Sequence, residues 1–264
     1  MPLKFIILAS GSKGNATYLE IGTKKILIDS GISLRQIQSR LNARNIALDR
    51  VDAIFITHEH IDHVSGLIAV VRKYKSTIYM TEGTYHNLAR IIKENLEQAN
   101  IQLLKYDSPV TFSDFSVEPL VTYHDALEPC GYKFLENEKA LVYITDTGYY
   151  PQVAFNAIRN AQSYIIEANH DPEMLLDSNR PWQLKRRILD DEGHLSNEDS
   201  AFLMVNIIGD KTHKIVLAHL SQECNTKAKA LEIYQEVFQK QGLIFADYHI
   251  ECADQDQPLK EIEI

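Results

Sequence analysis

Thr57-His58-Glu59-His60-Ile61-Asp62-His63 closes a short apolar run that reads as a buried strand over 52–57. Residues two apart in an extended segment point to the same side, so His58 and His60 can grip one ion together. The chain then turns toward a helical pattern, and Asp62 with His63 can point at a second ion nearby. Imidazole nitrogens and carboxylate oxygens suit Zn²⁺, Mn²⁺ or Fe. A chance match to HxHxDH in a chain of this size has odds on the order of one in ten thousand. The run therefore predicts a metal centre at the end of a strand.

Outward from this run, short apolar stretches alternate with helical periodicity. Strands are expected over 3–8, 16–21, 25–29, 77–80, 140–145, 163–167, 214–218 and 248–252. Helices are expected over 34–44, 66–74, 83–99, 153–160, 197–208 and 226–240, the third from the spacing of Leu88, Ile91, Ile92 and Leu96. Ser196 or Asn197 would cap the fifth. No sequence repeat or low-complexity linker divides the chain, so residues 1–264 are expected to form one domain. Strand-rich halves with outer helices predict a four-layered αββα sandwich.

Two ions need more ligands than one segment supplies. His124 follows the strand-like 116–123, Asp146 follows 140–145 and His219 follows 214–218. Each is a ligand-type residue at the carboxyl end of an apolar run, where strand ends converge on a crevice. With the HxHxDH run they complete a set of seven ligands.

That order of ligands resembles the metallo-β-lactamase superfamily over essentially the whole chain. The resemblance implies that His58, His60 and His124 hold one metal, that Asp62, His63 and His219 hold the other, and that Asp146 bridges them. It counts Asp62 among the catalytic residues as well. Asp29, in Ile26-Leu27-Ile28-Asp29-Ser30-Gly31, matches the family's early aspartate that orients the ligand loop; capping a turn is the other reading of it.

Flanking segments are similar to the phosphodiesterase branch that includes tRNase Z: Tyr123-His124-Asp125, Thr145-Asp146-Thr147-Gly148, Gly193-His194-Leu195-Ser196 and Ala218-His219-Leu220-Ser221. In that branch a histidine backed by a glutamate donates a proton, a role that would fall to His194 and Glu167. A helix-capping loop and a solvated strand end are the alternatives for these two residues. The opening Ala9-Ser10-Gly11-Ser12-Lys13-Gly14-Asn15, His124-Asp125-Ala126-Leu127-Glu128-Pro129 and Glu167-Ala168-Asn169-His170-Asp171 resemble the YycJ/WalJ/VicX family. This implies a 5′-to-3′ exonuclease on DNA with a role in repair, and an association with a two-component regulatory system. Asp146 and His219 are 73 residues apart, too few for the β-CASP domain of nucleases that cleave long RNA. No tRNA-binding arm is evident.

The formal net charge is −9, which argues against a surface that coats nucleic acid. Contact with a strand would then be local. Arg180, Lys185, Arg186 and Arg187, interleaved with Trp182, form the one dense basic cluster and suit phosphate contacts with base stacking; a solvated helix face is the other reading of it. In the glycine-rich turn the backbone amides with Ser12 or Asn15 could touch a phosphate, and a plain tight turn is the equal alternative. His170 is a further candidate for substrate contact. Cys130, Cys224 and Cys252 form no CxxC pair, and the apolar run after Lys4 is too short for a signal peptide, so a cytoplasmic protein is expected. A hydrolase of small esters, thioesters or lactones and a non-catalytic partner of a sensor kinase are the rival functions. The oligomeric state is not legible, and a homo-oligomer stays open.

Overall fold

The computed structural model describes residues 3–264, which gather into two compact units. The first comprises residues up to 121 together with 126–138 and 254–264. Its main sheet has the order β14-β1-β2-β3-β4-β5-β6, built from Ile262–Glu263, Lys4–Ala9, Ala16–Ile21, Lys24–Ile28, Ala53–Phe55, Thr77–Thr81 and Ile101–Leu104. The pairs from β14 to β3 are antiparallel and those from β3 to β6 parallel. Leu27, Ile54, Ile78 and Met80 of this sheet, with Ile56 just past β4, share a core with Ile37 and Leu41 of α1 (Leu34–Asn42), Leu67 and Val70 of α3 (Leu67–Tyr74), and Ile92 and Leu96 of α5 (Arg90–Leu96). Each such side chain contributes about 1.5–3 kcal/mol on full burial. Helix α1 starts where it does because Ser33 and Gln36 form a reciprocal capping box.

The helix expected over 83–99 is two helices, α4 (Glu82–Asn87) and α5, separated by extended backbone at Leu88 and Ala89. Leu88, Ile92 and Leu96 keep a continuous buried stripe, and the break turns Ile91 out to solvent. Between the strand β4 and α3 lies a single helical turn, α2 (Ile61–Val64), which carries the end of the HxHxDH run. A three-stranded antiparallel ladder completes this unit: β7 (Val110–Thr111), β8 (Ser116–Val121) and β9 (Cys130–Glu136).

The second unit comprises residues 122–125 and 139–253. Its strands β10 (Lys139–Ile144), β11 (Ser163–Glu167), β12 (Lys214–Ala218) and β13 (His249–Cys252) pair in parallel in that order. The first three are near-continuous apolar runs buried along their length, as parallel strands covered on both faces must be. Helix α6 (Phe155–Ile158) is shorter than expected because a 3₁₀ turn takes its first residues. Helices α7 (Pro172–Asp177) and α8 (Trp182–Ile188) follow β11, and α9 (Asn197–Ile207) and α10 (Lys227–Lys240) flank β12 in sequence. Ser196, not Asn197, caps α9, by accepting from the Asp199 amide at 3.1 Å.

Candidate metal centre

In the first unit the ligand loop is held backbone to backbone. The Asn15 amide donates to Asp62 O at 2.7 Å, Gly31 N to Asn15 O at 2.7 Å, and Ser30 N to His63 O at 2.8 Å. Gly31 permits this approach, since a Cβ there would lie 1.5 Å from Asp62 O. Asp29 turns the chain out of β3 with φ at +59°, a left-handed conformation that costs a non-glycine residue about 1–2 kcal/mol. Its carboxylate, fully buried, accepts from the Thr57 amide at 2.9 Å and from Thr57 Oγ1, and lies 2.8 Å from His63 Nδ1. Burial pushes the Asp29 carboxyl up, and the bonds from His63 and Thr57 offset this only in part.

These bonds set the histidines' tautomers. Nδ1–H of His63 donates to Asp29, leaving Nε2 with its lone pair. His58 Nδ1 sits 3.0 Å from Thr57 Oγ1, and its Nε2 sits 3.0 Å from His60 Nδ1. Two imidazole ligands on a tetrahedral Zn²⁺ place their nitrogens about 3.3 Å apart, so the spacing fits a shared ion. Thr57 carries a role the sequence did not assign it: read only as the last residue of a strand, it lies past the end of β4 and bonds Asp29 beside His58. Asn15, expected at substrate, is buried with its amide nitrogen 3.0 Å from His63 Nε2 and 3.4 Å from Asp62 Oδ2. Ser12 is exposed.

In the second unit the carboxyl ends of β10, β11 and β12 bring Asp146, Glu167 and His219 together, and the segment before α9 adds His194. One ligand atom from each of these four lies within 4.8 Å of the others. Asp146 and His219 both have positive φ, +57° and +55°, the strain expected where side chains are re-aimed at a site. His219 Nδ1 is 3.4 Å from Asp146 Oδ1, and His124 Nε2 is 3.9 Å from the same oxygen. His124 donates from Nδ1 to Gly193 O at 3.0 Å, which turns Nε2 toward Asp146. Burial pulls the His124 ring below its ordinary value, so it is neutral and able to ligate near pH 7.

Glu167 is fully buried, which removes the solvated reading of this residue. Its Oε1 lies 2.7 Å from His194 Nδ1 and 3.0 Å from His219 Nδ1, while Oε2 accepts from the Thr147 amide at 2.9 Å. Burial alone would raise this carboxyl, but the two imidazoles hold it down at about 2. The glutamate thus orients two histidines, where the sequence suggested one. Asn169 also braces His219 by donating to its carbonyl at 2.9 Å.

The basic cluster is less uniform than its sequence suggests. Lys185, expected at substrate, is turned inward, its ammonium donating to Leu176 O at 2.5 Å and Ser178 O at 2.7 Å at the end of α7. That corrects the expectation for this residue, because bonds to two carbonyls hold the buried ammonium away from solvent. Arg180 pairs with Glu223 at 2.9 Å, Arg187 pairs with Asp125, and Arg186 and Trp182 are exposed. His170, the other candidate for substrate contact, is buried too. Neither of its ring nitrogens has a hydrogen-bond partner among the described residues, and burial lowers its pKa to about 4.

A family model described as "Beta-lactamase superfamily domain" matches residues 24–220. The chain belongs to this superfamily. It is 43% identical over 230 residues to the exodeoxyribonuclease WalJ of Streptococcus pneumoniae, covering 86% of this chain and 85% of that one. It is 37% identical over 261 residues to the exodeoxyribonuclease YycJ of Bacillus anthracis, covering 98% of each. Among solved structures, the metallo-β-lactamase fold protein YhfI from Bacillus subtilis superposes with a TM-score of 0.71 over 99% of this chain and 100% of that one, at 16% identity. The short form of human tRNase Z superposes with a TM-score of 0.65 over 97% and 98%, at 16% identity. Likeness at that identity shows the fold alone: the chain has the metallo-β-lactamase fold that its sequence predicted. The fold implies divalent metal ions, and the donor set fits them. Imidazoles fixed at Nδ1 by Asp29 and Glu167, with carboxylates beside them, are the groups that Zn²⁺, Mn²⁺ and Fe prefer.

Proposed function

We propose that this protein is a dinuclear metal-dependent phosphodiesterase that acts on DNA as a 5′-to-3′ exonuclease. In this reading residues 1–264 work as one metallo-β-lactamase-like domain. His58, His60 and His124 hold one ion, Asp62, His63 and His219 hold the other, and Asp146 serves both. The ions are Zn, Mn or Fe. When bound they would lower the pKa of a shared water toward about 7 and neutralise the phosphate oxygens. His194 holds the proton for the leaving 3′ oxygen at Nε2, because its Nδ1–H is committed to Glu167. Asp62 and Glu167 act with it, the first as ligand and catalytic carboxylate, the second as orienting group. Arg186 and Trp182 would meet the strand's phosphates and bases.

The observation that carries the reading is the His194–Glu167 pair set within reach of Asp146 and His219. A histidine steadied by a buried carboxylate is the arrangement a general acid needs. The relatives named exodeoxyribonucleases, which match over most of the chain, support DNA as substrate. No helix among the described residues is long and apolar enough to cross a membrane. We place the protein in the cytoplasm, in DNA repair, with a link to a two-component system. End-labelled single- and double-stranded DNA and RNA, incubated with Mn²⁺ or Zn²⁺ and resolved by length, tests this. Mononucleotides released from the 5′ end of DNA are expected. Brisk hydrolysis of a thioester or lactone with no cleavage of any nucleic acid would overturn it.

A further inference from the structure

We infer that Tyr123 and Tyr149 form a stacking platform for the base of a nucleotide that flanks the scissile phosphate. The inference rests on the phosphodiesterase reading above and deepens it. Both residues lie in the second unit, and each neighbours a residue of the candidate centre: Tyr123 directly precedes His124, and Tyr149 is three residues past Asp146. Their ring centroids are 4.4 Å apart, with the planes inclined at 35°. Tyr123 is half-buried. Tyr149 keeps 38% of its surface exposed although Tyr123 covers one side of its ring, while the adjoining Tyr150 is buried. An aromatic ring left open beside a phosphodiester site is a surface on which an unpaired base can stack.

The pair is built before any strand arrives. Gly148 N donates to Tyr123 O at 2.8 Å, Tyr123 N to Thr147 Oγ1 at 3.0 Å, and Thr147 Oγ1 to Tyr149 O at 2.7 Å. A hydrogen bond between the two phenols joins the side chains and raises the Tyr149 hydroxyl above its ordinary value. The Thr147 amide donates to Glu167, the carboxylate that also orients His194, so the platform and the proton donor share one anchor. Gly148 lets a second loop pass against this turn: a Cβ there would lie 2.2 Å from Asp191 O and 2.4 Å from Asp190 O. That loop carries Asp190, Asp191 and Glu192, all exposed. Negative charge beside the rings repels a phosphate and does not repel an uncharged base, so what the platform holds is the base. Tyrosine has few torsions to fix, and fixing them in advance lowers the cost of binding.

The test is release of the first nucleotide from a 5′-phosphorylated single-stranded DNA, labelled at that phosphate. The strand is either intact or carries an abasic tetrahydrofuran nucleotide at its first or second position, the two that flank the first scissile phosphate. With the unaltered protein, loss of the stacked base should raise KM by about 5- to 150-fold at one of these positions. Tyr149→Ala should raise KM for the intact strand by a similar factor and should then ignore the missing base, because one contact cannot be lost twice. Tyr149→Phe, which keeps the ring, should stay within a few-fold of the unaltered protein on the intact strand. A Tyr149→Ala protein that loses as much on the abasic strand as on the intact one would show that the ring only supports the turn, and would overturn the inference. An unchanged KM in Tyr149→Ala, or an abasic effect at neither position, would do the same while leaving the nuclease reading in place. If the unaltered protein cleaves no nucleic acid, that reading falls and this inference with it.

Discussion

Each unit aims its histidines with one fully buried carboxylate, and the two carboxylates stand on opposite sides of their ordinary ionisation. Asp29 faces a single imidazole, His63, and burial wins: its carboxyl is pushed up. Glu167 faces two, His194 and His219, and the imidazoles win: its carboxyl is held at about 2. The same desolvation acts on both, so the number of cationic or donor partners decides the sign. A carboxylate serving one imidazole can be assembled from a local turn. One serving two imidazoles together needs strand ends and a loop from different parts of the chain.

The largest effect expected from this comparison is on turnover. His194→Ala should slow cleavage of bis-p-nitrophenyl phosphate by about 10²- to 10⁴-fold, the usual worth of a general acid, with both metals retained. His219→Ala should instead lose metal as well as activity. Metal content measured on both variants separates the roles; loss of an ion from His194→Ala would show them to be reversed.

The carboxylates themselves come next. In metal-free protein at neutral pH, Glu167→Gln should lower stability by a few kcal/mol, because a group held at about 2 against an ordinary 4.5 stabilises the fold while ionised. That contribution is fully present above about pH 4.5 and disappears as pH falls toward 2, so the variant should lack this part of the wild-type loss in acid. Asp29→Asn should cost less at neutral pH, because a carboxyl whose pKa is raised on folding destabilises the fold while ionised. Denaturant titrations at pH 7 and pH 3 check both. A larger loss for Asp29→Asn at pH 7 would break the comparison.

The two regions also differ in how much of them was legible beforehand. The cluster of His58, His60 and His63 could be proposed from the sequence because these residues sit in one run, where period-two geometry alone brings His58 and His60 together. The β-strands could be placed for the same reason: their apolar runs are local. Asp146 and His219 could be proposed only by their positions after such runs, and the sharing of Glu167 between two imidazoles had no local signature at all. Lys185 misled because charge in a sequence does not say which way a side chain turns; two unsatisfied carbonyls at the end of α7 drew it inward. The break at Leu88 was hidden because both helices keep the same buried stripe. Arg187 and Asp125, 62 residues apart, met only in three dimensions.

The smallest effect concerns the cluster that remains once Lys185 and Arg187 are accounted for. Arg186 is exposed on α8, and Trp182 on the same helix is exposed over 62% of its surface. Loss of a stacking aromatic typically costs about 1–3 kcal/mol per base, so Trp182→Ala should raise KM for single-stranded DNA by roughly 5- to 150-fold. Arg186→Glu should act more weakly, raising KM a few-fold and lowering the slope of log KM against log salt by about 1. Neither should alter hydrolysis of bis-p-nitrophenyl phosphate, which offers no neighbouring base or further phosphate for these two side chains to hold. Steady-state kinetics with both substrates between low and moderate salt measures all of this. The ordering matters more than either number. A strand gripped mainly through its charge would make Arg186→Glu the more damaging change, whereas one gripped by its bases makes Trp182→Ala so, and the acidic surface of this protein favours the bases. Equal losses on the minimal diester would mean that α8 supports the fold of the centre and does not touch the strand.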